Sequence, residues 1–151
     1  MKFAEILQYD TDPQKMSPAR AFLIAQLYMI SADGQIESRE IGHLLSVVGS
    51  TKTGPLSIQV ANQKILDLAM SYRSRNSLDT FLTEVTPLLS PAQRKCILAN
   101  LLDCAYLDGN FAQAEKDVFD KFVEVFQTPQ IELQSLIDVI TVKNNLNVFG
   151  K

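Results

Sequence analysis

No tryptophan, a single histidine and two cysteines occur among the 151 residues. Because a di-iron carboxylate bundle needs a Glu-x-x-His step on two helices, the one step formed by Glu40 and His43 cannot build such a centre. Ser-His-Asp or Cys-His catalysis would also have to use His43, and no nucleophile motif accompanies it. Neither a Walker loop nor a G-x-G-x-x-G motif is found. We therefore expect no enzymatic activity.

Excess charge and long apolar runs are also missing. The net charge is −3 and the pI about 5.1, so the chain has no basic surplus for a nucleic-acid partner. A membrane span needs about 20 apolar residues, and the most apolar stretch, 21–30, ends at Ser31-Ala32-Asp33-Gly34. The N-terminal sequence Met1-Lys2-Phe3-Ala4-Glu5 lacks a signal-peptide layout. We expect a cytoplasmic protein that neither spans a membrane nor binds nucleic acid.

The cysteines and several basic residues are interpreted as structural. Cys96 and Cys104 lie eight residues apart in a helical pattern, about 12 Å along a helix, too far for a disulfide. We expect two reduced thiols acting as small core residues. The basic residues interpreted as solvated helix ends are Arg73, Arg75, Arg94 and Lys95.

Apolar residues recur at helical spacing along almost the whole chain, without sustained alternation of period two. The apolar sets begin at Phe22, Ile41, Ile58, Leu78, Leu98, Phe119 and Leu133. Three pairs, Ser17-Pro18, Ser90-Pro91 and Thr128-Pro129, combine an N-cap residue with proline at the first helical position. The chain has the usual size of one domain. These features predict one all-α domain over 1–151, a bundle of about seven helices preceded by a short helix at 2–8, with a frayed tail at 144–151.

An internal repeat underlies this bundle. Residues 27–40 align with residues 102–115, at an offset of 75. Each copy has a helix, Asp-Gly, one residue, an apolar residue, three residues and a Glu that begins the next helix. Only two copies occur, so a solenoid is not indicated. The pattern predicts two related helical hairpins, at about 17–50 and 90–127, within one bundle.

The repeat carries a candidate metal site. Glu40 and Glu115 each begin an apolar helical stripe, and an inward carboxylate is costly unless it is paired. Two hairpins related by a pseudo-twofold axis could bring Asp33, Glu40, Asp108 and Glu115 together. Converging carboxylates repel each other unless a cation neutralises them, and oxygen ligands suit hard divalent cations. Calcium or magnesium is the first expectation, and zinc is possible.

Other interpretations of these acids remain. Asp-Gly is a common turn pair, and a Glu in the first helical turn often belongs to a capping box. The cap positions, however, are Glu37 and Ala112, and alanine cannot accept the backbone hydrogen bond. A calcium-binding EF-hand is excluded because Met29 or Cys104 would be its first ligand. A carboxylate-metal hydrolase or oxidase would need an open coordination position and a nearby general base.

The sequence Ala32-Asp33-Gly34-Gln35-Ile36-Glu37-Ser38-Arg39-Glu40, with the second copy 108–115, resembles the tellurite-resistance protein TerB family. Repeats of that family carry an Ala-Asp-Gly-x-Ile-x-x-x-Glu pattern between helices. The resemblance covers roughly residues 19–128. The second copy differs in Leu107 and Phe111, which replace one apolar residue by another and leave the acids intact.

The resemblance implies an all-helical bundle with an acidic metal-binding cluster, which carries over onto Asp33, Glu40, Asp108 and Glu115. It implies no enzymatic activity, a role in bacterial stress response and tellurite resistance, and association with TerC-type membrane proteins. The protein would then lie in the cytoplasm, peripheral to the inner membrane through its partner. A homo-oligomer is left open. The alternative is a metal-free helical module that binds a protein partner.

Overall fold

The structure, a computed structural model, describes residues 15–33, 56–105 and 112–150, without the side chains of 56–65. The α-helices in these ranges are α1 Pro18–Ile30, α2 Leu56–Arg75, α3 Leu78–Val85, α4 Pro91–Ala105, α5 Gln113–Phe126 and α6 Gln130–Asn144. Two short 3₁₀ helices follow α3 and α6, at Thr86–Leu88 and Leu146–Phe149. No strand occurs in the described ranges, which confirms the all-α prediction. The helices predicted at 2–8 and around Ile41 lie outside them.

Two of the three predicted helix starts are confirmed. Ser17 caps α1, because its hydroxyl accepts a hydrogen bond from the backbone N–H of Arg20 at 3.1 Å. Ser90 and Gln93 form a capping box at α4. The Ser90 hydroxyl accepts from the Gln93 N–H at 3.1 Å, and the Gln93 side-chain oxygen accepts from the Ser90 N–H at 2.8 Å. Both serines thus satisfy backbone donors that the first helical turn leaves without partners.

The third predicted start is displaced by one residue. Helix α6 begins at Gln130, and Pro129 occupies the cap position without a side-chain hydrogen bond. The reason lies in the end of α5, where Gln127 adopts a left-handed conformation with φ 53°. The backbone N–H of Thr128 donates back to the Val123 carbonyl at 3.4 Å. Thr128 therefore closes α5 instead of capping α6.

Helix α1 is the central helix of the described bundle. Every residue from Arg20 to Ile30 is buried, and the helix contacts α2, α3, α4 and α5. A helix that is apolar around its circumference is stable only when neighbours cover all its faces. The turn residues 31–33 that follow α1 are consequently attached to a helix that the core surrounds.

An aromatic cluster joins α1, α2, α3 and α5. The ring centroid of Phe81 lies 5.1 Å from Tyr28, 5.9 Å from Tyr72 and 6.2 Å from Phe122. Phe122 in turn packs edge-on against Phe126 at 5.5 Å. Tilted and edge-to-face pairs at these separations add to the stabilisation gained from burial alone.

The ends of α1 and α4 agree with the alignment of the repeat. Helix α1 ends at Ile30 and α4 at Ala105, which are 75 residues apart, and the two helices pack against each other. The segments that follow them, from Gly34 and from Tyr106, lie outside the described residues. The superposition of the two hairpins therefore stays a prediction.

The two cysteines of α4 differ in burial. Cys104 is buried as predicted, whereas Cys96 is exposed, so its assignment to the core is wrong. At about 100° per residue, Cys96 points away from the side that carries Ile97, Leu98 and Leu101. No disulfide joins the two cysteines in the described part of the chain.

Candidate metal centre

Asp33 lies at the end of a well-fixed turn. Residues 31–33 follow the last residue of α1, and Asp33 itself is exposed. The N–H of Ser31 donates to the Leu27 carbonyl at 3.0 Å, and the N–H of Ala32 donates to the Met29 carbonyl at 3.2 Å. Since α1 is buried on all sides, these bonds tie the turn to the centre of the bundle.

Glu115 lies in the first turn of α5 and is half-buried. Phe119, Phe122 and Phe126 continue the same face, and all three are buried. This arrangement confirms the predicted apolar stripe headed by a carboxylate. Ala112 is the cap residue of α5 and makes no side-chain cap bond, so a side-chain capping box is absent at this described helix start.

The other two predicted ligands, Glu40 and Asp108, lie outside the described residues. Helix α1, which leads into Asp33, contacts α5, which begins near Glu115. Within 15–33, 56–105 and 112–150, no group of three or more His, Cys, Asp and Glu residues could hold a metal ion. Half of the predicted ligand set is not among these residues, so the four-carboxylate cluster stays a prediction.

Arg73 is a residue of this region whose role the sequence interpretation missed. It was predicted to be a solvated helix end, and that prediction is wrong. Its Nε donates to the Ser31 hydroxyl at 3.0 Å, and its guanidinium carbon lies 4.5 Å from the Tyr28 ring centroid. The signal was present as helical spacing, because Arg73 follows the buried residues Leu66 and Ala69 at positions i+7 and i+4.

Tyr28 connects this arginine to the link between α2 and α3. Its hydroxyl donates to the carbonyls of Asn76 at 2.7 Å and Ser77 at 3.2 Å. Burial raises the pKa of Tyr28; the Arg73 cation opposes this rise, and the Glu84 carboxylate adds to it. Tyr28 therefore stays neutral and keeps its hydroxyl as a donor.

A second polar contact near Tyr28 is formed by Tyr72 and Glu84. The Tyr72 hydroxyl donates to a Glu84 carboxylate oxygen. Burial, followed by this hydrogen bond, raises the pKa of Tyr72 above its ordinary value. The bond joins α2 to α3 beside the aromatic cluster.

Arg94 was also predicted to be a solvated helix end, and that prediction is wrong. Its Nη2 donates to the Thr86 carbonyl at 2.7 Å, and its guanidinium carbon lies 6.0 Å from the Phe126 ring centroid. Its Nε is buried without a hydrogen-bond partner in the described structure. The side chain thus bridges α4 to the 3₁₀ helix Thr86–Leu88. Arg75 and Lys95 are exposed, as predicted.

The described helices show no segment of the length and apolar character that crossing a membrane requires. They define an all-α bundle in which a buried central helix is followed by the turn 31–33, which ends in Asp33.

A family model described as tellurite resistance protein TerB matches residues 19–137. The chain belongs to this family, which confirms the resemblance seen in the repeat. No curated protein and no solved structure matches the chain.

Proposed function

We propose that this TerB-family protein binds a divalent cation through Asp33, Glu40, Asp108 and Glu115 and acts as a non-enzymatic adaptor in tellurite resistance and stress response. The observation that carries the proposal is the position of Glu115, half-buried at the head of three buried phenylalanines. Partial burial disfavours the charged form of a carboxylate, and a bound cation would offset that cost.

Asp33 supports the same proposal from the opposite hairpin. It follows the central helix α1, and α1 packs against α5. A turn that is already fixed to the core can present a metal-binding carboxylate with little further loss of conformational entropy. The donors are all carboxylate oxygens, so calcium or magnesium is the first candidate and zinc is the second.

A direct test is metal analysis of protein purified without chelator, followed by titration of chelator-treated protein with calcium, magnesium and zinc. We expect one cation per chain, bound more weakly by the Glu115→Gln variant. Glu124→Gln makes the same change at an exposed position of α5 and is the matched control. If the wild-type chain binds none of the three cations, the metal site is wrong.

A metal-free interaction module is the second candidate, and the exposed face of α6 favours it. Ile131 and Val142 are each 78% exposed, and they lie on the side opposite the buried Leu133 and Ile140. Leu146, Val148 and Phe149, which follow the helix, are also exposed. Contiguous exposed apolar side chains, such as those that one helix face presents, are typical of protein-binding surfaces. The occupant we propose is the TerC-type membrane protein that the family resemblance implies.

Serine at both Ile131 and Val142 is expected to leave the fold intact, because neither side chain is in the core. Co-purification with a TerC-type protein from the same source should be lost in this double variant. Gln134→Ser, at another exposed position of α6, is the control. The metal-free module is supported if the wild type co-purifies equally well in EDTA and in added cation, and the double variant fails to do so in both. Unchanged co-purification by the double variant would exclude this surface.

A further inference from the structure

Arg73, in the last turn of α2, contacts Ser31 at the end of α1, two residues before Asp33. We propose that Arg73 is a positioning residue for the metal centre, because it fixes Ser31 and thereby the direction of the turn that presents Asp33. This inference rests on the proposed cation site and adds to it a residue outside the ligand set.

The Ser31 hydroxyl is held from two sides. It donates to the Leu27 carbonyl within α1 and accepts the hydrogen bond from Arg73 Nε at 3.0 Å. Ser31 is buried and is the C-cap residue of α1, so the chain leaves the helical path at this residue. Two residues further on lies Asp33. A small rotation at Ser31 would therefore displace the Asp33 carboxylate.

Arg73 is itself held in place by Tyr28. Its guanidinium stacks 4.5 Å from the centre of the Tyr28 ring. Tyr28 is in turn fixed by the bonds from its hydroxyl to the carbonyls of Asn76 and Ser77. The guanidinium fork gives Arg73 a directed Nε–H donor and a planar face, and lysine has neither. The contact thus depends on arginine and not only on positive charge.

The positive charge of Arg73 should weaken cation binding, whereas its proposed positioning of Asp33 should strengthen it. Because the two effects have opposite signs, variants can separate them. A positive charge near a cation site repels the incoming cation. If Arg73 acted only through its charge, removing the charge would strengthen cation binding, and Arg73→Lys would leave it unchanged. If Arg73 positions the turn, Arg73→Lys weakens binding although the net charge is the same.

The experiment titrates the chelator-treated full chain with calcium, magnesium and zinc and measures the Kd of whichever binds. We expect Arg73→Lys and Ser31→Ala each to raise that Kd about 10-fold or more, the usual effect of removing a group that orients a metal ligand. Arg75→Lys is the matched control, because Arg75 is exposed and its Nε donates to the Ser71 carbonyl in its own helix. Its Kd should equal that of the wild type.

Two different failures can be told apart. If the wild-type chain binds no cation, the proposed function is wrong and this inference falls with it. If the wild type binds and both Arg73→Lys and Ser31→Ala bind equally well, only the positioning role is wrong. A melting curve without cation reports whether each variant folds. Ser31→Ala removes a single hydroxyl group, so it decides the matter should Arg73→Lys fail to fold.

Discussion

Replacing Phe81 with alanine is expected to lower the free energy of unfolding by about 3–5 kcal/mol. Phe81 is 0% exposed and contacts the rings of Tyr28, Tyr72 and Phe122. These three residues belong to α1, α2 and α5, so one cavity would weaken the packing of four helices. The loss would combine the transfer free energy of the ring, the cost of the cavity and the loss of the aromatic pairs.

The measurement is urea unfolding followed by circular dichroism at 222 nm, a wavelength that reports helix content. Phe149→Ala is the matched control, because the same ring is removed from a side chain that is 86% exposed. Its effect should remain within about 0.5 kcal/mol. A Phe81→Ala variant that lost less than about 1 kcal/mol would show that the aromatic cluster does not hold the bundle together.

The all-α architecture could be predicted from the sequence because its signals are local. The helical spacing of the apolar set that begins at Phe22 predicted a helix, and that set lies in α1. Ser17 and Ser90 marked helix starts through contacts only three residues away. The start of α6 was missed by one residue, because the left-handed Gln127 and the N–H of Thr128 complete the end of α5.

Long-range polar contacts could not be predicted in the same way. Arg73 shares a helix face with the buried Leu66 and Ala69, but its acceptor on Ser31 lies 42 residues away in sequence. Nothing in a local pattern identifies such a partner. Arg94 is a similar case, because its acceptor is a carbonyl in the 3₁₀ helix that precedes α4. Basic residues near helix ends were therefore assigned to solvent when two of them are structural.

The candidate metal site has features that local spacing predicts and one feature that depends on tertiary packing. The spacing of Glu115 from Phe119 and Phe122 predicted that the acid begins a buried face, and the structure confirms it. The repeat also placed Asp33 directly after a helix, and the structure shows it after the buried helix α1. The convergence of all four acids depends instead on the relative placement of two hairpins. Such placement arises from tertiary packing and cannot be obtained from the helical spacing of either copy.

Addition of the correct divalent cation at 100 times its Kd is expected to stabilise the chain by about 2.7 kcal/mol. For a chain of this size, that gain corresponds to a rise in Tm of roughly 5–11 °C. The physical reason is that the carboxylates repel each other only when the hairpins are docked, and the cation removes that repulsion. Melting curves in EDTA and in each of calcium, magnesium and zinc measure the effect, against a control of matched ionic strength.

Glu40→Gln and Glu115→Gln should each reduce this cation-dependent rise and change the metal-free Tm much less. Glu124→Gln should leave the rise unchanged, because Glu124 is exposed on α5. If the acids served only to cap helices, glutamine would retain much of the capping bond, and its effect would be small with and without cation. If no divalent cation raises the wild-type Tm beyond the ionic-strength control, the carboxylates do not form a metal site. The metal-free interaction module would then be the function to pursue.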